Sequence, residues 1–231
     1  MLHGFTGNPQ SMRGLALALA DAGFTVEMPL LPGHGTAVAD MVTTRWEDWS
    51  GAAEDAYADL AARSEEVVVV GLSMGGMLSV WLAEHHPEIA AIAVVNPIVA
   101  PPDADTIAFL QAMVDGGEEL AAGVGSDIAM EGSVESAYPE LPLRATLSLF
   151  SAAAEVEAGL ESVTCPVLVF TSTNDHVVDP QSSALLVKRA NGPVEQVVLD
   201  RSYHVATLDY DKDEIEARTV EFLSGVVPPP R

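Results

Sequence analysis

Gly71-Leu72-Ser73-Met74-Gly75-Gly76 follows the apolar run Val67-Val68-Val69-Val70 and precedes Met77-Leu78-Ser79-Val80-Trp81-Leu82-Ala83. The valines predict a buried strand, and the segment after the motif reads as a helix. Strand, G-x-S-x-G, helix is the context in which this pattern means a nucleophile elbow. A nucleophile on so sharp a turn sits in strained backbone. Glycine at 71 and 75 removes side chains that would collide with it. The turn lifts the Ser73 hydroxyl above the sheet, at a helix N-terminus where negative charge is favoured.

Outward from the elbow, strands and helices alternate. Upstream, Asn8-Pro9 with Met12, Leu15, Leu17 and Leu19 reads as a capped helix stopped by Gly23, Phe24–Met28 as a strand, and residues 46–62 as a helix with Trp46, Trp49, Ala53, Tyr57 and Leu60 on one face. Downstream come a helix to His86, a strand over 90–95, and after a gap the strand 166–171, helix 180–190, strand 195–200 and helix 211–223. This rhythm predicts a mostly parallel sheet with helices on both faces. Between 97 and about 160 it breaks into Pro- and Gly-rich chain with short helical pieces and no clear strand. The expected organisation is a core over 1–96, a small cap or lid insertion over 97–160, and the rest of the core over 161–231. The Pro-rich end, Val226–Arg231, is expected to fray.

Bulk composition narrows the function classes. The chain has 231 residues, 48% of them hydrophobic, enough for one domain with a full core. No apolar run reaches the ~18 residues of a membrane span, and no signal peptide is visible. The net charge of −24, from 34 acidic and 10 basic residues, argues against nucleic acid and anionic lipid as partners. The acids are dispersed, so they suggest a solvated surface rather than a metal site. The single Cys165, before Pro166 at a strand start, fits a buried thiol in a reducing, cytoplasmic compartment.

A serine nucleophile needs a base, and the base an orienting acid. In this architecture they follow the serine in the order acid, then histidine, in loops after late strands. Of the six histidines, His204 in Arg201-Ser202-Tyr203-His204 occupies that place. His85 and His86 end a helix, His34 lies in the turn Pro32-Gly33-His34-Gly35, His3 precedes the serine, and His176 adjoins the acid. Asp175, after Val167-Leu168-Val169-Phe170, is favoured as the acid over Asp179, whose place before Pro180 suits a helix cap. The oxyanion donors are expected to be the N–H groups of Met74 and, in the loop His3-Gly4-Phe5-Thr6-Gly7, of Phe5. No metal and no cofactor are called for.

Leu2-His3-Gly4-Phe5-Thr6-Gly7, Pro32-Gly33-His34-Gly35, Trp46-Glu47-Asp48-Trp49, the elbow, Asn174-Asp175-His176-Val177-Val178 and Ser202-Tyr203-His204-Val205-Ala206-Thr207-Leu208-Asp209 together resemble the bacterial monoacylglycerol lipases and small carboxylesterases of the α/β-hydrolase fold. The resemblance implies hydrolysis of a single-chain ester such as a monoacylglycerol, with a generalist short-chain carboxylesterase as the near alternative. A non-catalytic binding protein of the same fold is the distant one. Val124-Gly125-Ser126-Asp127 and Glu135-Ser136-Ala137-Tyr138 resemble the lid of those lipases. By that likeness Glu135 would contact glycerol hydroxyls, and Met113, Val124 and Ile128 would wall an acyl chain. The family's His-Gly loop follows a buried strand, with one or two more upstream. Only Met1 and Leu2 precede His3, so the sheet is expected to lack its N-terminal strand or strands and to anchor the Phe5 loop poorly.

Overall fold

The computed structural model describes residues 1–227. Its elements are α1 (Arg13–Asp21), α2 (Val38–Val42), α3 (Trp46–Ala61), β1 (Val68–Leu72), α4 (Met74–His85), β2 (Ala91–Val95), α5 (Ala104–Asp115), β3 (Leu120–Ala122), β4 (Glu140–Pro142), α6 (Leu143–Gly159), β5 (Val167–Ser172), α7 (Gln181–Arg189), β6 (Val194–Leu199) and α8 (Lys212–Val226). A four-stranded parallel sheet in the order β1-β2-β5-β6 forms the centre. Residues 228–231 of the expected frayed end lie outside the described residues.

The strand residues alternate between two cores, as the two-residue period of a sheet buried on both faces requires. Val69, Ile92, Val94, Val167 and Val169 pack with Trp49, Met77, Leu78 and Leu149, from α3, α4 and α6. Val70, Leu72, Ala93, Val95, Leu168 and Phe170 pack on the opposite face with Leu15, Leu19, Ile215 and Leu223, from α1 and α8. The α3 stripe is as expected: Trp46, Trp49, Ala53 and Tyr57 are buried and Leu60 is partly so. On α1, Leu17 turns outward and is 54% exposed, while Met12, Leu15 and Leu19 are buried.

Three local expectations need correction. Phe24–Met28 forms no strand. Phe24, Val26 and Met28 do pack on the α1–α8 side, which gives the sequence its strand-like alternation. The place beside β1, however, is taken by Leu2, whose N–H donates to Val70 O at 2.8 Å and whose carbonyl accepts Leu72 N–H at 3.1 Å. A groove of about 450 Å³, lined by Met1, Phe24, Val26, Val68 and Val70 among others, runs along this edge. Second, β3 and β4 pair antiparallel inside the segment read as strand-free; at three residues each they are too short to show a period. Third, α6 is a single helix of 17 residues. Its buried stripe of Ala145, Leu149, Ala152, Ala153 and Val156 belongs to the main core, and so many alanines mute the apolar signal. The α6 part of the segment 97–160 therefore packs within the main core.

Candidate active site

The elbow forms as its glycines dictate. Ser73 has φ 57° and ψ −117°, a left-handed conformation that costs roughly 1–3 kcal/mol for a side-chain-bearing residue. The neighbours hold it there: Ser73 N–H donates to Val95 O at 2.9 Å, and Ser73 O accepts Met77 N–H at 3.0 Å. The reason for glycine differs from the simplest expectation. A Cβ on Gly71 would lie 2.0 Å from Gly75 O, and one on Gly75 would lie 2.0 Å from Leu2 O. The clashes are with the following helix turn and with the oxyanion loop, not with the serine side chain.

The loop of residues 3–7 packs directly on Ser73, since a Cβ on Gly4 would lie 3.5 Å from Ser73 Cβ. Among the described residues neither Phe5 N–H nor Met74 N–H has an acceptor. The loop is better held than expected. His3 is fully buried; its Nδ1 donates to Gly4 O at 2.9 Å and its Nε2 accepts Leu31 N–H at 3.2 Å. Burial lowers its pKa to about 3, so the ring is neutral and can serve as donor and acceptor at once. Edge-to-face contacts of His3 with His34 at 5.0 Å and of Phe5 with Trp49 at 5.4 Å brace the loop from behind.

Asp175 and His204 meet from the loops after β5 and β6. His204 Nδ1 lies 2.8 Å from Asp175 Oδ2, with side-chain exposures of 8% and 2%. Asp175 Oδ1 also accepts the N–H groups of Val177 and Val178, both at 2.8 Å, which fixes the carboxylate plane. A proton on Nδ1 leaves Nε2 as the basic atom. Asp179 instead caps α7, accepting Gln181 N–H at 2.9 Å. Ser73 Oγ makes no hydrogen bond among the described residues; such contacts are often loose before substrate binds. Of the other histidines, His85 bonds Trp81 O at 2.8 Å, and His86 lies 2.8 Å from Glu54 and 3.2 Å from Glu88. His34 sits buried with Nδ1 3.0 Å from Pro32 O, and His176 pairs with Asp127 at 2.9 Å.

The four residues of 97–160 expected to contact substrate divide. The Glu135 carboxylate abuts Gly7, where a Cβ would lie 2.8 Å from Oε1. Burial raises its pKa, opposed by the nearby His204 ring and a hydrogen bond from Ser11. Ile128 packs on the cluster that includes Val205, next to His204. Met113 belongs to a separate small cluster with Leu110, Val114 and Leu143. Val124 is 65% exposed and forms no wall in this conformation. One residue escaped the sequence reading. Asn96, with φ 45°, donates to Ser172 Oγ at 2.9 Å and His204 O at 2.8 Å, and accepts Ser172 N–H at 2.8 Å. A lone Asn after a buried strand, in Val94-Val95-Asn96-Pro97, was the only available signal.

A parallel sheet flanked on both faces, with serine on a strand-to-helix elbow and an Asp–His pair in the loops after the last two strands, is the architecture of the α/β hydrolases. Residues 1–218 match the model of the alpha/beta hydrolase family, and the chain belongs to that family. It is 41% identical to a thermostable monoacylglycerol lipase of Bacillus sp. (strain H-257), over 97% of this chain and 89% of that one. It is 26% identical to a carboxylesterase of Bacillus subtilis (strain 168), over 96% and 90% of the two chains. A solved structure reported with LipS and LipT, two metagenome-derived lipolytic enzymes, superposes with a TM-score of 0.92 at 41% identity, covering 97% of this chain and 91% of that one. The Paleococcus ferrophilus monoacylglycerol lipase, at 19% identity and a TM-score of 0.79, covers 97% of this chain and 92% of its own and shares the fold.

Proposed function

We propose that this carboxylic ester hydrolase cleaves single-chain esters, monoacylglycerols foremost, through an acyl-enzyme on Ser73. The observation that carries the reading is the Asp175–His204 pair at 2.8 Å, in the required chain order after a strained Ser73. His204 Nε2 takes the Ser73 proton as Oγ attacks the ester carbonyl carbon. The Phe5 and Met74 N–H groups hold the resulting oxyanion. Collapse breaks the bond to the alcohol oxygen, which receives the proton from His204. Water then attacks the acyl-enzyme, with His204 again as base, and releases the carboxylic acid.

Two findings support the monoacylglycerol reading over a generalist short-chain carboxylesterase. One is the 41% identity to a monoacylglycerol lipase against 26% to a carboxylesterase. The other is Glu135, whose carboxylate abuts Gly7 of the loop that carries Phe5 and can accept hydroxyls of a glycerol headgroup there. A lone buried Cys165 suits a reducing compartment, and we place the protein in the cytoplasm. No helix among the described residues is long and apolar enough to cross a membrane. Ser73→Ala should abolish turnover and fluorophosphonate labelling with the fold intact; persistent turnover would sink the nucleophile assignment. Glu135→Ala should raise KM for 1-monoacylglycerols more than for simple alkyl esters, and equal effects would remove the headgroup role.

A further inference from the structure

The cap and the base loop are joined by two carboxylates that the reaction itself does not use. Asp127, in the cap, has a side-chain exposure of only 10%. Its Oδ2 accepts the backbone N–H of His204 at 3.0 Å and of His176 at 3.2 Å. Its Oδ1 lies 2.9 Å from His176 Nδ1, and its carbonyl accepts Val205 N–H at 3.1 Å. One cap residue thus grips the base, the residue after the base and the residue after the acid. Asp209 makes the reciprocal connection. It is fully buried in the base loop. It accepts Ala129 and Met130 N–H from the cap, at 2.7 and 2.9 Å, and Tyr203 and Tyr210 N–H, at 2.9 and 2.7 Å.

Burying carboxylates is unfavourable unless their lone pairs are filled, and here they are filled by charge-assisted bonds to backbone N–H groups. Those bonds are directional and fix the backbone before the His204 Cα through Tyr203 and His204 N–H, while the Asp127 backbone carbonyl holds Val205 N–H after it. We propose that Asp127 is a positioning residue for ester hydrolysis: from the cap, it sets the His204 imidazole against Asp175 and towards Ser73. The inference rests on the Ser73–His204–Asp175 reading. It makes alignment of the base depend on the seating of residues 126–130, so a cap residue that meets no reacting atom governs turnover.

The test is Asp127→Asn, which keeps the volume but leaves a single accepting oxygen for the contacts now shared by two. The expected result is a fall in kcat of about 10- to 100-fold with KM within about twofold, the size of effect that misplacing a reacting group produces. Fluorophosphonate labelling of Ser73 should slow in parallel, and the downfield NMR resonance of the His204 Nδ1 proton should shift or broaden. Unchanged kcat and an unchanged resonance, with only a lower thermal midpoint, would make Asp127 a structural tie and overturn the inference. If D127N does not fold, His176→Ala decides: a few-fold loss of kcat with the same spectral change supports it, and wild-type values for both refute it. Ser73→Ala and His204→Ala run alongside. Activity surviving in either would sink the triad reading and this inference with it, whereas inactive controls beside a fully active D127N would sink the inference alone.

Discussion

Asp175→Asn would separate the two oxygens of that carboxylate by function. Oδ1 faces two N–H donors, those of Val177 and Val178, each at 2.8 Å. An amide nitrogen there would point its hydrogens at two further donors, so the asparagine carbonyl must occupy that place. Its NH2 group is then turned towards His204 Nδ1, where Oδ2 now stands at 2.8 Å. The imidazole can accept from it only by moving its own proton to Nε2, the atom that takes the proton of Ser73 in the proposed mechanism. Geometry survives and the tautomer is wrong. A tautomeric block of this kind costs about 10⁴-fold in kcat, or ~5 kcal/mol of transition-state stabilisation. The assay is kcat and KM on a p-nitrophenyl ester with a parallel thermal melt. Asp179→Asn is the control: it weakens only the cap to Gln181, costing up to ~1 kcal/mol of stability with activity retained. A folded D175N enzyme within about tenfold of wild type, or a larger activity loss in D179N, would refute the assignment of the acid.

Gly75→Ala should destabilise by ~3 kcal/mol or more in chemical denaturation, because its Cβ would lie 2.0 Å from Leu2 O and 2.8 Å from His3 O, with no flexible atom to yield. Wild-type stability would mean that the oxyanion loop is free to move. Glu84 faces Gly159 across the α4–α6 contact with Oε1 buried and unpaired, and burial lifts its pKa from 4.5 to about 8. The folded form therefore holds a proton that the unfolded chain releases above pH 4.5; stability present below that pH drains away as pH rises to about 8, then levels. Discounted for partial exposure, the effect is ~2–3 kcal/mol, and Glu84→Gln should flatten this slope in melts across pH 5–9.

How far the sequence reached depended on how local each signal was. The elbow, β2, β5, α3 and the His204 loop were legible because a short window of valines, glycines or spaced tryptophans carries its own steric or periodic requirement. Phe24–Met28 has strand alternation, yet a strand needs a neighbour, and Leu2 holds that place beside β1. In α6, Ala152 and Ala153 fit closely against the core, but alanine says little about burial. Asp127 and Asp209 stand in motifs that give them no task of their own, and Asn96 stands in none. Their roles exist only once chain segments 70 to 110 residues apart are brought together.

The site is built as two separately braced halves, and this sets where it is vulnerable. Ser73 and the oxyanion loop form one half, locked by the approach of Gly75 to Leu2 and His3 and backed by His34, Phe5 and Trp49. The other half holds Asp175 and His204, tied by Asp127 and Asp209 to the cap. Each half has its own ties, so the proton transfer proposed from Ser73 to His204 depends on their registration. The end of β2 touches both: Val95 O holds Ser73 N–H at 2.9 Å, and the adjacent Asn96 side chain holds His204 O and the Ser172 backbone at 2.8 Å. Two consecutive residues at one strand end thereby hold Ser73 and His204 in a single frame. Asn96 makes these contacts at φ 45°, and a strained backbone in a side-chain-bearing residue at such a junction fits a position constrained from both sides.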